Sequence, residues 1–207
     1  MTRLIKNYTK ILKQGGVVII STDTVPAIIC NGLSDVAVKN IYEIKQRSYS
    51  KPIAVLCPNI AMSQKYLEIN KASMAVLKAF SPGPITLVLK SQENSKLSKY
   101  LNLNRKNIGL RIPNHSFLID LMVSCGFPLA ATSANISNAL LSYEAIESNF
   151  RNKVNYINID KSVKIKTTSS IFSIADYSNI TEYRSGPISI KEIKDFLLKE
   201  ANANKTT

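Results

Sequence analysis

Apolar positions fall along the chain in short runs whose period alternates between helix and strand. Leu4, Ile5, Tyr8, Ile11 and Leu12 lie three or four residues apart, which predicts a helix over 3–14 ended by Gly15-Gly16. Residues 17–20 form a continuous apolar run before Ser21-Thr-Asp-Thr24, and 27–30 form another, so two short buried strands meet at a hydroxyl-rich corner. Helical spacing returns over 36–45. Residues 52–56, 85–89 and 108–112 read as further strands, with two short helices between 60 and 80 and a turn at Ser81-Pro-Gly-Pro84. The lysine-rich stretch 91–106 has no period and reads as a surface excursion. Pro113-Asn-His-Ser116 opens a helix to about Ser124, and Pro128-Leu-Ala-Ala-Thr-Ser-Ala-Asn135 is an apolar strand running into small polar residues. A helix over 142–150 and strands near 156–159, 170–175 and 180–183 follow. Ser189 then caps an amphipathic helix with Ile190, Ile193, Phe196 and Leu197 on one face.

Helices and strands are interleaved without the strict alternation of a doubly wound fold. The expected class is therefore α+β, a twisted mixed β-sheet flanked by helices. With 207 residues and 45% hydrophobic content the chain is long enough for one sizeable core. Residues 1–200 are expected to form a single domain and 201–207 a polar tail. No run of 18 apolar residues occurs and the first residues lack a secretory h-region, so the expectation is a cytoplasmic protein without membrane contact. Cys30, Cys57 and Cys125 are widely spaced and His115 is the only histidine, which argues against a disulfide framework or a zinc site, and no metal ligands are assigned.

The net charge of +13 favours a polyanionic partner, either nucleic acid or nucleotide phosphates. Lysine outnumbers arginine 21 to 6, and a diffusely solvated basic surface accounts for most of it. The few arginines are more informative. Arg47, Arg111 and Arg184 sit in segments that end or precede strands, and arginine suits bidentate contact with phosphate or carboxylate. Lys45-Gln-Arg-Ser-Tyr-Ser-Lys51 places three cations in seven residues, a loop able to surround a triphosphate although it is not a P-loop; alone, such a loop is ordinary solvated surface. Thr132-Ser-Ala-Asn135 alone is a turn or helix N-cap. What raises both is their common place, because polar clusters at strand ends can converge on one cleft.

Taken in order, Ser21-Thr-Asp-Thr-Val25, Lys45-Gln-Arg47 with Lys51-Pro52, Ser81-Pro-Gly-Pro-Ile-Thr-Leu-Val-Leu89, Leu110-Arg-Ile-Pro-Asn-His115, Thr132-Ser-Ala-Asn-Ile-Ser137 and Arg184-Ser-Gly186 resemble the YrdC family of L-threonylcarbamoyladenylate synthases. The resemblance covers nearly the whole chain and implies a YrdC-like fold with a basic concave cleft. It implies that L-threonine and bicarbonate form a carbamate, which attacks the α-phosphate of ATP to give threonylcarbamoyl-AMP and pyrophosphate, with Mg2+ accompanying ATP. A tRNA threonylcarbamoyl transferase machinery would act downstream. Carried over to this chain, it assigns Lys45 and Arg47 as catalytic, and Lys45, Arg47, Lys51, Asn107, Ser133, Asn135 and Arg184 to ATP. Thr24, Arg111, Thr132 and Ser169 or Ser170 are assigned to threonine. No Ser-His or Cys-His pair points to a covalent intermediate, and His115 is expected to be structural.

Some positions depart from the family pattern. Pro26-Ala27 stands where an aromatic residue and glycine are usual, Ser48 replaces a proline, Asn138 a glycine and Ser173 an acidic residue. Alanine in place of a glycine at positive φ implies strain, so the first corner is expected to differ in shape. The competing reading is an RNA-binding module that uses the basic cleft for direct RNA contact without adenylate synthesis; only Tyr49 lies in the basic loop, however, and such platforms interleave aromatics with cations. A sugar-phosphate lyase on a related architecture calls for an acidic metal cluster that the sequence lacks.

Overall fold

The computed structural model describes residues 2–103, 106–135, 141–160 and 167–203. Its helices are α1 (Thr2–Lys13), α2 (Asp35–Lys45), α3 (Ile60–Ser63), α4 (Lys71–Phe80), α5 (Ser116–Cys125), α6 (Tyr143–Phe150) and α7 (Ile190–Ala203). The strands are β1 (Val18–Ile20), β2 (Ala27–Asn31), β3 (Ala54–Leu56), β4 (Ile85–Lys90), β5 (Asn107–Arg111), β6 (Leu129–Ser133), β7 (Tyr156–Asn158), β8 (Ser170–Ile174) and β9 (Ile180–Arg184). Each starts and stops where local chemistry dictates. Ser34, Asn59, Asn70 and Ser142 accept hydrogen bonds from first-turn amides of α2, α3, α4 and α6. Ser189 and Glu192 form a reciprocal capping box at α7. His115 caps α5 by accepting from the Leu118 amide at 3.3 Å, the structural use expected of it.

The strands form one mixed sheet in the order β7-β1-β2-β6-β3-β5-β4-β8-β9, with β1–β7, β3–β5 and β4–β8 parallel. Alternation divides the sheet's two faces. Ile28, Val55, Leu87, Leu110 and Phe172 point to one face and pack with residues of α2, α4, α6 and α7. On the other face Val18, Ile20, Ile29 and Leu129 pack against Tyr8 and Leu12 of α1 and Leu118, Leu121 and Met122 of α5. Each such buried side chain contributes about 1.5–3 kcal/mol. Both α1 and α5 lie over the β1-β2-β6 end, and the same face carries the cavity described below, from the start of β2 and the end of β6 across to β9.

Two expectations change. The excursion over 91–106 is anchored: Lys99–Leu101 forms a 3-10 turn, Leu101 is fully buried and its carbonyl accepts from Ile53 N at 2.8 Å. Helix α7 runs to Ala203, three residues into the segment expected as tail, and 204–207 lie outside the described residues. None of the helices among the described residues is long and apolar enough to cross a membrane.

Candidate active site

The face left open by α1 and α5 holds a cavity of about 730 Å3. Its floor consists of small side chains at successive strand positions: Ala27 on β2, Ala131 on β6, Ala54 on β3, Gly109 on β5 and Thr86 on β4. Ala54 pairs with Ala131, and a Cβ on Gly109 would stand 3.3 Å from that of Ala54 and 3.2 Å from Thr86 Cγ2. Around this floor stand Arg47, Lys51, Arg111 and Arg184; no Asp or Glu lines it among the described residues.

Arg111 ends β5 and is only 8% exposed. Its Nε donates to Gly83 O at 3.1 Å, one terminal nitrogen to Thr24 Oγ1 at 2.7 Å and the other to Asp23 Oδ1 at 2.6 Å. The Ser81–Pro84 turn holds Gly83 in place through Gly83 N donating to Ile112 O. A Cβ there would meet Phe80 O at 2.6 Å, which explains the glycine between two prolines. Burial lowers the Arg111 pKa and the Asp23 carboxylate opposes that shift. Thr24 is itself fixed, because its amide donates to Thr22 Oγ1, which donates in turn to Val25 O. A guanidinium so clamped is oriented before any ligand arrives.

The basic loop divides at its second residue. Gln46 adopts φ 48°, ψ 44°, and Gln46 N and Arg47 N donate to Glu43 O and Tyr42 O, a Schellman closure of α2 without glycine. After this left-handed residue Arg47 turns into the cavity, with Nε on Lys51 O at 3.0 Å and a terminal nitrogen on Pro52 O at 2.9 Å. Lys45 does not line the cavity. Its Nζ reaches the end of β6 and donates to Thr132 Oγ1, Ser133 O and Asn135 Oδ1 at 3.3, 2.6 and 2.9 Å. Asn135 Oδ1 also accepts from Ser133 Oγ at 2.8 Å. Burial, with the charges of Arg47 and Lys51, pushes Lys45 down to about 7; the three oxygens favour its charged form.

Arg184 is held by Ser169, with Nε on the carbonyl at 2.9 Å and a terminal nitrogen on Oγ at 3.0 Å. Ser169 Oγ also pairs with Thr86 Oγ1 at 2.8 Å. Burial and the Arg111 charge both lower the Arg184 pKa. Ser170, the other serine assigned to threonine, faces away: it is fully buried and its Oγ bonds Ile188 O and Ile188 N. Neighbours in an extended chain point to opposite sides, so only Ser169 reaches the cavity.

The cavity thus brings together Arg47, Lys51, Asn107, Ser133, Asn135, Arg184, Thr24, Arg111, Thr132 and Ser169, and excludes Lys45 and Ser170. Sequence reasoning missed Asp23 and Thr86, although a carboxylate inside Ser21-Thr-Asp-Thr24 and a lone hydroxyl in an apolar strand were both visible. Ala27 is unstrained: it lies in β2 opposite Ser133, and among the described residues Gln46 is the non-glycine with positive φ. Ile136, Ser137 and Asn138 lie outside the described residues.

Residues 10–186 match the Sua5/YciO/YrdC family, described as Telomere recombination. The chain belongs to the Sua5/YciO/YrdC family. The threonylcarbamoyl-AMP synthase of Mus musculus is 38% identical over 136 residues, 66% of this chain and 48% of that protein. A putative threonylcarbamoyl-AMP synthase of Methanocaldococcus jannaschii is 29% identical over 194 residues, 92% of this chain and 89% of that protein. The crystal structure of P. abyssi Sua5 complexed with L-threonine superposes with a TM-score of 0.85 at 26% identity, covering 93% of this chain and 56% of that one. This Sua5/YciO/YrdC chain therefore spans about half the length of the mammalian and P. abyssi relatives it matches.

Proposed function

We propose that this chain is an L-threonylcarbamoyladenylate synthase, whose product supplies a tRNA threonylcarbamoyl transferase machinery. The observation that carries the reading is one cavity holding two kinds of anion reader: a clamped, buried Arg111 beside Thr24, and the more open Arg47 and Lys51. Relatives named threonylcarbamoyl-AMP synthase, and a similar fold complexed with L-threonine, support the same assignment.

In this reading Arg111 takes the threonine carboxylate, with Thr24, Thr132 and Ser169 around the amino acid. The threonine amine and bicarbonate condense to a carbamate with loss of water. A carbamate oxygen then attacks the α-phosphorus of ATP, the bond to the bridging oxygen breaks, and pyrophosphate leaves. Arg47 and Lys51 hold the departing phosphates, Arg184, Ser133, Asn135 and Asn107 complete the nucleotide site, and closeness of the short-lived carbamate to ATP supplies much of the rate. Lys45, three hydrogen bonds deep in the end of β6, acts as a positioning residue for Ser133 and Asn135.

No group of three His, Cys, Asp or Glu stands together among the described residues. A magnesium ion fits as part of the MgATP substrate better than as a resident metal, because no Asp or Glu lines the cavity among the described residues and Asn135 Oδ1 already accepts from Lys45 and Ser133. Free, buried Cys30, Cys57 and Cys125 agree with a cytoplasmic location.

The test is purified protein with ATP, Mg2+, L-threonine and bicarbonate, with adenylate and pyrophosphate measured together. Adenylate that requires both threonine and bicarbonate is expected; adenylate formed equally without threonine, or none, overturns the reading. Arg111→Ala should raise the KM for threonine at least ~10-fold, the loss of a charge-assisted pair, while the KM for ATP changes little. Equal rises in both would remove Arg111 from the amino acid.

A further inference from the structure

Strands β8 and β9 do not pair regularly. Ile171 lies opposite Arg184 and Phe172 opposite Glu182, so the ladder is irregular between them and Tyr183 is the extra residue of a bulge. In a regular strand Tyr183 and Arg184 would point to opposite faces; a bulge re-aims one of them, and both line the cavity. Tyr183 is 61% exposed and is the one aromatic residue lining the cavity among the described residues. No other ring packs against it there, whereas Arg184 beside it is held on Ser169 by two hydrogen bonds.

We propose that Tyr183 is the platform on which the purine base of the nucleotide stacks. The inference rests on the synthase reading and adds the specific contact that holds the base. Strand order supplies the direction. Arg47 and Lys51 flank the loop into β3, Arg111 ends β5, and Tyr183 sits on β9, four strand spacings from β3, or roughly 19 Å. A nucleotide laid along this line has its terminal phosphates at the β3 end and its base at the β9 end. The α-phosphorus then falls between them, beside the threonine that Arg111 holds. Ile171, across the bulge from Arg184, adds apolar wall at the base end. An exposed ring between an aliphatic wall and an arginine offers a flat face to any base and reads few of its hydrogen bonds.

The experiment measures ATP and inorganic tripolyphosphate binding by calorimetry to the wild type, Tyr183→Ala and Tyr183→Phe. ATP affinity should fall roughly tenfold in Tyr183→Ala and stay near wild type in Tyr183→Phe, and tripolyphosphate should bind all three alike. Unchanged ATP affinity in Tyr183→Ala, or an equal loss of tripolyphosphate, overturns the platform and leaves the synthase reading standing. A wild type that does not bind ATP overturns both.

Discussion

At Lys45 three protons meet three oxygens across the end of β6, while burial and two neighbouring cations press the same ammonium to release one. Folded, its pKa sits at about 7 against 10.5 for the ordinary side chain. Between those values the unfolded chain binds more protons than the folded one, so this residue's contribution to stability rises with pH across that window. The slope is at most about 1.4 kcal/mol per pH unit. Urea unfolding of the wild type and Lys45→Met at pH 7 and 9 should therefore show a larger gain for the wild type. Parallel gains would mean that the three oxygens keep Lys45 charged throughout. The residue type and its spacing from Arg47 were legible in the sequence. That the two cations part company was not, because the turn that sends Arg47 away from Lys45 depends on one left-handed residue, Gln46, for which the usual marker is glycine.

Most element boundaries were legible too, since caps and hydrophobic period are local. What escaped was set by pairing between distant segments: β6 inserted between β2 and β3, and the irregular β8–β9 ladder that brings Tyr183 to the cavity. The choice between Ser169 and Ser170 belongs here as well, because both precede or open a strand and only its register decides which one faces the ligand. That register is locked by Gly186, whose absent side chain lets the chain after β9 lie on Ser170. A Cβ there would stand 2.6 Å from Ser170 N and 2.8 Å from both Ser170 Oγ and Thr168 O. Ser170 N already donates to Pro84 O, so it is not free to retreat. Gly186→Ala should cost about 1–3 kcal/mol in urea unfolding and raise the KM for threonine by displacing Ser169. A stable variant with normal threonine use would show that the segment shifts without cost.

Across the whole molecule, the cavity exists because one sheet face is covered at one end and lined by small residues at the other. Hydrophobic patterning predicted the covered part and the flanking helices. It was silent about the cavity, since alanine and glycine in a strand carry no signal of what stands above them. Ala54→Leu tests this directly. The added carbons would project over Gly109 and Ala131, so the variant should keep or slightly raise its melting temperature while ATP binding falls by an order of magnitude or more. Loss of stability together with binding would mean that the floor is packed, not open. The shape of the cavity is thus written in this chain as methyl groups withheld. A drift toward bulkier residues on these five strands would silence the protein while leaving it better folded, a change that a screen for solubility or thermal resistance would reward.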